Sequence, residues 1–226
     1  MNDLPSPAKR LYPIALNLEG RRCLVVGGGN VALRKAQGLL RAGARVCAVA
    51  PEARPELIDL ARDGRIELER RPFRPEDVQG RLLVFAATDR PDVNAWVVEL
   101  GRRSGALANR SDDPAGCDFA GMSEVVRGSL LIAISTGADS PAFSRWIRRQ
   151  VEERFGSEYG AFLEMAASLR PEVIRSLPDD RRGPAWEKAL GSQAIDLLRG
   201  GDGESALACL RDALGLNDVD IENAKI

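Results

Sequence analysis

Short continuous apolar runs alternate along this chain with stretches whose apolar residues recur every three to four positions, a pattern of buried strands followed by amphipathic helices. Arg22-Cys23-Leu24-Val25-Val26 reads as a strand that runs into Gly27-Gly28-Gly29. Val31, Ala32, Ala36, Leu39 and Leu40 then predict a helix over about 30–42, with Gly43 where a C-cap belongs. Ala44 to Val49 predicts a second buried strand, and a helix over about 54–63 follows it. The alternating Arg65-Ile66-Glu67-Leu68-Glu69, the apolar run Leu82 to Ala87, a helix over about 91–103 and the strand Ala106 to Asn109 repeat the rhythm. Tyr12 to Leu16 is a short apolar lead-in.

The rhythm then changes. Phe119 to Val126 and Ser129 to Thr136 read as two strands joined by a tight turn at Arg127-Gly128, an antiparallel hairpin outside the parallel sheet. Such a hairpin leaves strand edges that need a partner, which a homodimer supplies. Ser140-Pro141 is an N-cap and first-turn pair opening a helix over 142–155. Phe162, Met165, Ala166 and Leu169 continue at helical spacing, and the last ten or so residues read as frayed. The fold class expected is α/β: a Rossmann-like doubly wound parallel sheet, then an antiparallel hairpin dimerisation region and a small C-terminal helical domain. The expected boundaries are 1–114, 115–155 and 156–226.

The first strand-to-helix turn carries chemistry. In Gly27-x-Gly29-x-x-Ala32, the first glycine permits a tight reversal, the second lets backbone approach a pyrophosphate, and the small alanine lets helix pack on strand. The pyrophosphate would rest on the helix N-terminus. A carboxylate for the ribose hydroxyls belongs at the end of the second strand. Only Glu52, already in the loop Val49-Ala50-Pro51-Glu52, is available for it, and no arginine stands out there for a 2′-phosphate, which favours NAD over NADP.

Composition narrows the chemistry further. The 226 residues have 44% hydrophobic content and a net charge of −1, enough for a sizeable core and no bulk charge suited to nucleic acid or a membrane surface. No run approaches a membrane-spanning length, and the N-terminal segment lacks the apolar core and cleavage site of a secretion signal, so a cytoplasmic location is expected. Lys9, Lys35, Lys188 and Lys225 are the only lysines, so 28 of the 32 basic residues are Arg and any one Arg cluster carries less meaning. Cys23, Cys47, Cys117 and Cys209 form no CxxC pair, so reduced thiols rather than a zinc site are expected, and no metal ligand set is assigned. There is no histidine at all. Proton transfer near neutrality then falls to carboxylates, Tyr, Lys, Cys or water.

Ligands of doubly wound folds lie beyond the carboxyl ends of the strands. Three loops there hold candidates: Thr88-Asp89, Asn109-Arg110-Ser111-Asp112-Asp113, and Ser135-Thr136-Gly137-Ala138-Asp139-Ser140. Thr88-Asp89 reads as a helix cap compatible with cofactor contact. Asp112 and Asp113 read either as an Asp-Pro turn before Pro114 or as a carboxylate beside the nicotinamide, the natural general base in a chain without histidine. Arg145, Arg148 and Arg149 share one helix face, either solvated or clamping a polycarboxylate substrate. The three tryptophans read as core.

Several motifs in order resemble the precorrin-2 dehydrogenase/sirohydrochlorin ferrochelatase family, whose module also forms the N-terminal half of siroheme synthase: Leu24 to Ala32 with Arg34-Lys35-Ala36, Ala86-Ala87-Thr88-Asp89, Asn109-Arg110-Ser111-Asp112, and Ile134-Ser135-Thr136-Gly137 with Ser140-Pro141. The resemblance covers 12 to about 155 closely and the helical tail loosely. It implies NAD-dependent oxidation of precorrin-2 to sirohydrochlorin and, in bifunctional members, insertion of ferrous iron as a substrate to give siroheme. It places the family's essential aspartate on Asp112 and the preceding asparagine on Asn109. The cofactor contacts it implies fall on Asn30 and Val31 around the glycine turn and on Pro51 and Glu52 after the second strand. Family members exchange the hairpin region within a homodimer. Two departures stand out: Arg110-Ser111 replaces the usual apolar pair, and Thr136 stands where some members carry a phosphorylated serine. A dehydrogenase without chelatase activity, and a non-catalytic NAD-sensing module, are the competing readings.

Overall fold

The computed structural model describes residues 11–137 and 139–217, and the expectation of a frayed C-terminal end falls outside them. The chain forms two compact units, the first ending at Gly121 and the second beginning at Met122.

The first unit is a five-stranded parallel sheet with spatial order β3-β2-β1-β4-β5. In chain order its elements are β1 (Arg22–Val26), α1 (Asn30–Arg41), β2 (Arg45–Val49), α2 (Pro55–Arg62), β3 (Glu67–Glu69), β4 (Leu83–Ala86), α3 (Pro91–Arg103) and β5 (Leu107–Arg110). Strand alternation explains the two-faced core. Cys23 and Val25 of β1 join Ala32, Ala36, Leu39, Leu57 and Leu60 of α1 and α2. Leu24 and Val26 turn the other way, onto Val97 and Val98 of α3 and onto Phe73 and Val78. The chain returns to the middle of the sheet between β3 and β4, so β1 and β4 lie side by side with their helices leaving on opposite faces. That is the switch point where a crevice opens above the carboxyl ends.

The segment after β5 folds back on this sheet, so the strand expected from Phe119 begins only at Ser123. Ala108 N donates to Asp118 Oδ2 at 2.8 Å, and Phe119 packs edge-on against Phe85 at 5.2 Å.

In the second unit β6 (Ser123–Arg127) and β7 (Leu130–Ile134) form the antiparallel hairpin. Arg127 pairs with Leu130, so the turn is Gly128-Ser129 rather than Arg127-Gly128, with the glycine φ of 56° filling its first position. α4 (Pro141–Arg154) starts where its cap was expected: Phe143 N donates to Ser140 Oγ at 3.2 Å. α5 (Ser157–Ser176), α6 (Asp179–Leu190), α7 (Ala194–Arg199) and α8 (Gly203–Ala213) enclose a core of Phe162, Leu169, Val173, Leu210 and Leu214. Among the described residues, no helix is long and apolar enough to cross a membrane.

Candidate active site

A groove of about 1000 Å³ lies at the switch point of the first unit. Gly27, Gly28 and Gly29 after β1, Pro51 and Glu52 after β2, and Thr88 and Asp89 after β4 all line it. Phe73, Val93 and Trp96 add apolar surface. Asn30 and Val31 stand at the start of α1 and are not part of that lining.

The glycines have distinct jobs. Gly27 has φ 130°, and a Cβ there would stand 2.2 Å from Ala87 O, so only glycine lets the turn pass beneath the end of β4. A Cβ on Gly28 would lie 1.9 Å from Glu52 O, because the loop after β2 packs directly on it; Arg54 N donates to Gly28 O at 3.0 Å. Gly29 faces open space, with nothing within 4 Å of an added Cβ. It caps α1 without any side-chain hydrogen bond, and the first turn of α1 carries no acidic residue. A helix start with no side-chain cap, an open approach and no acidic residue in that turn suit a pyrophosphate.

The groove wall also holds residues the sequence pattern did not reveal. Arg54 lines it, two positions beyond Glu52, although no arginine was expected there. Its guanidinium is engaged by Glu56, with Nε and a terminal nitrogen at 3.1 and 2.7 Å from the two carboxylate oxygens. Trp96, expected in the core, is 43% exposed and stands edge-on to Phe73 at 5.1 Å. An indole's flat apolar face serves a ligand wall as readily as a core. Trp146 is likewise 48% exposed, and only Trp186 packs against its unit's core.

Asp112 and Asp113 make different contacts. Asp113 makes the turn: its carboxylate accepts from Gly116 N at 3.2 Å, capping a short 3₁₀ turn over Pro114–Gly116. Asp112 instead faces the sheet end, where Arg110 Nε donates to Oδ1 at 3.1 Å and a second Arg110 nitrogen pairs with Oδ2. Asn94 Nδ2 donates to the same Oδ1 at 2.9 Å. The Arg110 guanidinium holds the Asp112 carboxyl below the usual carboxylate range, against partial desolvation, and Asn94 adds to the lowering.

Asn94 was not anticipated from the sequence. It is fully buried, at 0% exposure, and its Oδ1 accepts from Thr88 N and Oγ1 at 3.1 and 2.7 Å. Thr88 Oγ1 also accepts from Arg90 N at 3.2 Å, so the threonine ties down the entry to α3 while lining the groove. A signal existed: Asn94, Val97, Val98 and Gly101 are the buried positions of α3, at i, i+3, i+4 and i+7. A polar residue at that phase needs partners.

Asn109 is buried, with its amide nitrogen donating to Phe119 O at 2.9 Å, which pins the fold-back segment. In the second unit, Ser135 Oγ accepts from Gly137 N at 3.2 Å. Thr136 Oγ1 accepts from Ser140 N at 3.2 Å and lies 3.1 Å from Ser144 Oγ. Of the three α4 arginines expected to share a face, Arg148 pairs with Glu152, while Arg145 and Arg149 are exposed.

Comparison with known proteins bears on both units. Residues 14–122 match a family model described as putative NAD(P)-binding, and 158–214 match one described as the sirohaem synthase dimerisation region. The chain is 39% identical over 202 residues to a siroheme synthase of Methylococcus capsulatus, covering 89% of this chain and 43% of that protein. It is 40% identical over 198 residues to siroheme synthase 3 of Aeromonas hydrophila, covering 86% and 42%. It therefore spans less than half the length of these relatives. The solved structure of SirC, a precorrin-2 dehydrogenase, shares the fold, with a TM-score of 0.74 at 24% identity over 89% of this chain and all of that one.

Proposed function

The chain belongs to the precorrin-2 dehydrogenase/siroheme synthase family, and from that membership we propose that it oxidises precorrin-2 to sirohydrochlorin with NAD. The observation that carries the reading is the groove at the β1/β4 switch point, joined through the buried Asn94 to the carboxylate of Asp112. The groove fits a dinucleotide: an uncapped helix start for the pyrophosphate, an open Gly29 beside it, and aromatic walls. NAD bound there supplies the two-electron acceptor. Glu56 occupies Arg54, which leaves that guanidinium committed and favours NAD over its 2′-phosphorylated form.

The residues of the chain then divide the work. Gly27, Gly28 and the Thr88 loop shape the groove, and Asn94 fixes that loop to Asp112. Oxidation of the macrocycle releases one proton beyond the hydrogen taken by the acceptor. Asp112 receives it and, because Arg110 keeps its pKa low, passes it on to solvent without retaining it. Its negative charge also stabilises the positive charge that builds on the pyrrole nitrogens as electrons leave. Arg145 and Arg149 offer guanidinium groups to the substrate's peripheral carboxylates, and Ser135 and Thr136 offer hydroxyls. The exposed apolar face of the hairpin supports a homodimer, and the reading places the enzyme in the cytoplasm. Ferrous iron insertion into sirohydrochlorin is a second activity of the same proposal, read by an anaerobic assay with sirohydrochlorin and Fe²⁺.

The test of the reading is Asp112→Ala: loss of precorrin-2 oxidation with NAD binding and the dimer intact supports it. Full retained turnover overturns it.

A further inference from the structure

Every polar atom of one buried side chain is spent on two loops that leave neighbouring strands. Asn94 Oδ1 accepts twice from Thr88, at 3.1 and 2.7 Å, while Nδ2 donates to Thr88 O at 3.1 Å and to Asp112 Oδ1 at 2.9 Å. The orientation of the amide is fixed by this set: turned over, it would aim N–H groups at the Thr88 N–H and an oxygen at the Asp112 carboxylate. Thr88 lines the nucleotide groove and Asp112 does not, so the amide is the direct side-chain link between groove wall and carboxylate.

We propose that Asn94 is a positioning residue that holds the Thr88 loop and the Asp112 carboxylate in one fixed relation, so that the cofactor groove and the proton-accepting group are set together. The proposal rests on the reading of Asp112 given above. Helix burial alone would be met by an apolar residue at the phase shared with Val97, Val98 and Gly101. A neutral donor also does what a second cation could not: it orients the carboxylate without competing for the substrate's own acidic groups.

Among the described residues, several charged and titratable groups stand about Asp112. Arg110 grips it from the end of β5, Asp113 stands 3.8 Å from an Arg110 nitrogen, and the buried Cys117 Sγ lies 3.2 Å from Arg110 N. The head of α3 contributes the exposed Arg90–Asp92 pair. With Arg110 left in place, losing the Asn94 donor weakens the ionised form, so the acid limb of turnover moves to higher pH.

Two substitutions separate positioning from packing. Asn94→Asp keeps the two bonds from Thr88 N and Oγ1, gives up the one to Thr88 O, and sets a second carboxylate against Asp112. NAD affinity, read by quenching of tryptophan fluorescence, should stay within about twofold, while kcat for precorrin-2 oxidation falls by about a hundredfold and its acid limb moves up. Asn94→Ala removes both halves of the link and should lower NAD affinity and kcat together. Wild-type kcat and an unmoved acid limb in both variants, whatever their melting temperatures, overturn the proposal. In the unsubstituted protein, the Asn94 side-chain amide resonance should titrate with Asp112 and shift again on NAD addition, and an amide insensitive to both also overturns it. Asp112→Asn separates the layers. Full turnover in that variant removes the underlying reading and the proposal with it, whereas a dead Asp112→Asn beside a wild-type Asn94→Asp removes only the proposal.

Discussion

Arg110 grips the carboxylate of Asp112 from two residues upstream, with side-chain exposures of 16% and 26%. The pair sits where β5 ends, and a terminal Arg110 nitrogen also donates to Pro91 O at 3.3 Å. The consequence is a carboxylate that stays charged to lower pH than an ordinary aspartate. A depressed folded-state pKa contributes stability that is present above the unfolded-state value and is lost as pH falls through the folded one. Activity that needs the anion follows the same limb.

Arg110→Gln should therefore move the acid limb of kcat to higher pH, toward that of an ordinary aspartate. A pH profile of precorrin-2 oxidation reads it. An unmoved limb would mean that Arg110 does not govern the catalytic carboxylate.

Gly28 and Gly29 make a paired prediction because their surroundings differ. Gly28→Ala drives a Cβ into Glu52 O at 1.9 Å and Ala53 Cα at 2.8 Å, both backbone, and should destabilise the first unit by roughly 1–3 kcal/mol. Gly29→Ala meets nothing within 4 Å and should melt like the parent while losing about tenfold in NAD affinity, since its methyl fills the pyrophosphate approach. Calorimetry and NAD titration of the two variants distinguish these outcomes; equal behaviour would refute the assignment of the turn.

These two glycines also mark how far the sequence could be read. The β1 turn and the strand-helix rhythm were legible because continuous apolar runs and helical periodicity are local properties. That Gly28 touches the loop after β2 is not local, and neither is the position of Arg54 on the groove wall. Asn94 left a trace in its helical phase, yet its partners lie six and eighteen residues away and only the fold brings them together. Phe119 misled for the opposite reason: an aromatic before a β-prone run reads as strand, and its capture by Phe85 depends on the finished sheet.

Cofactor choice should respond to Glu56. Freed by Glu56→Gln, Arg54 can meet a 2′-phosphate, and NADP affinity should rise about tenfold, equivalent to about 1.4 kcal/mol from one charge-assisted hydrogen bond. Direct titration with NADP and NAD checks it. No change in their ratio would show that Arg54 does not face the ribose.

The proposed homodimer makes a demand on the hairpin. Val126 and Leu131 sit opposite each other in the register, 51% and 50% exposed, an apolar cross-strand pair facing outward. Asp at both positions should convert a dimer to a monomer in light scattering, with the first unit's NAD affinity unchanged. A dimer that survives both charges would place the interface elsewhere.

In the proposed function the groove and Asp112 serve one reaction. Purified protein given precorrin-2 and NAD under anaerobic conditions should generate NADH absorbance in step with sirohydrochlorin, one for one, and Asp112→Ala should generate neither. Sirohydrochlorin formed without NADH, or turnover undiminished in Asp112→Ala, would contradict the account.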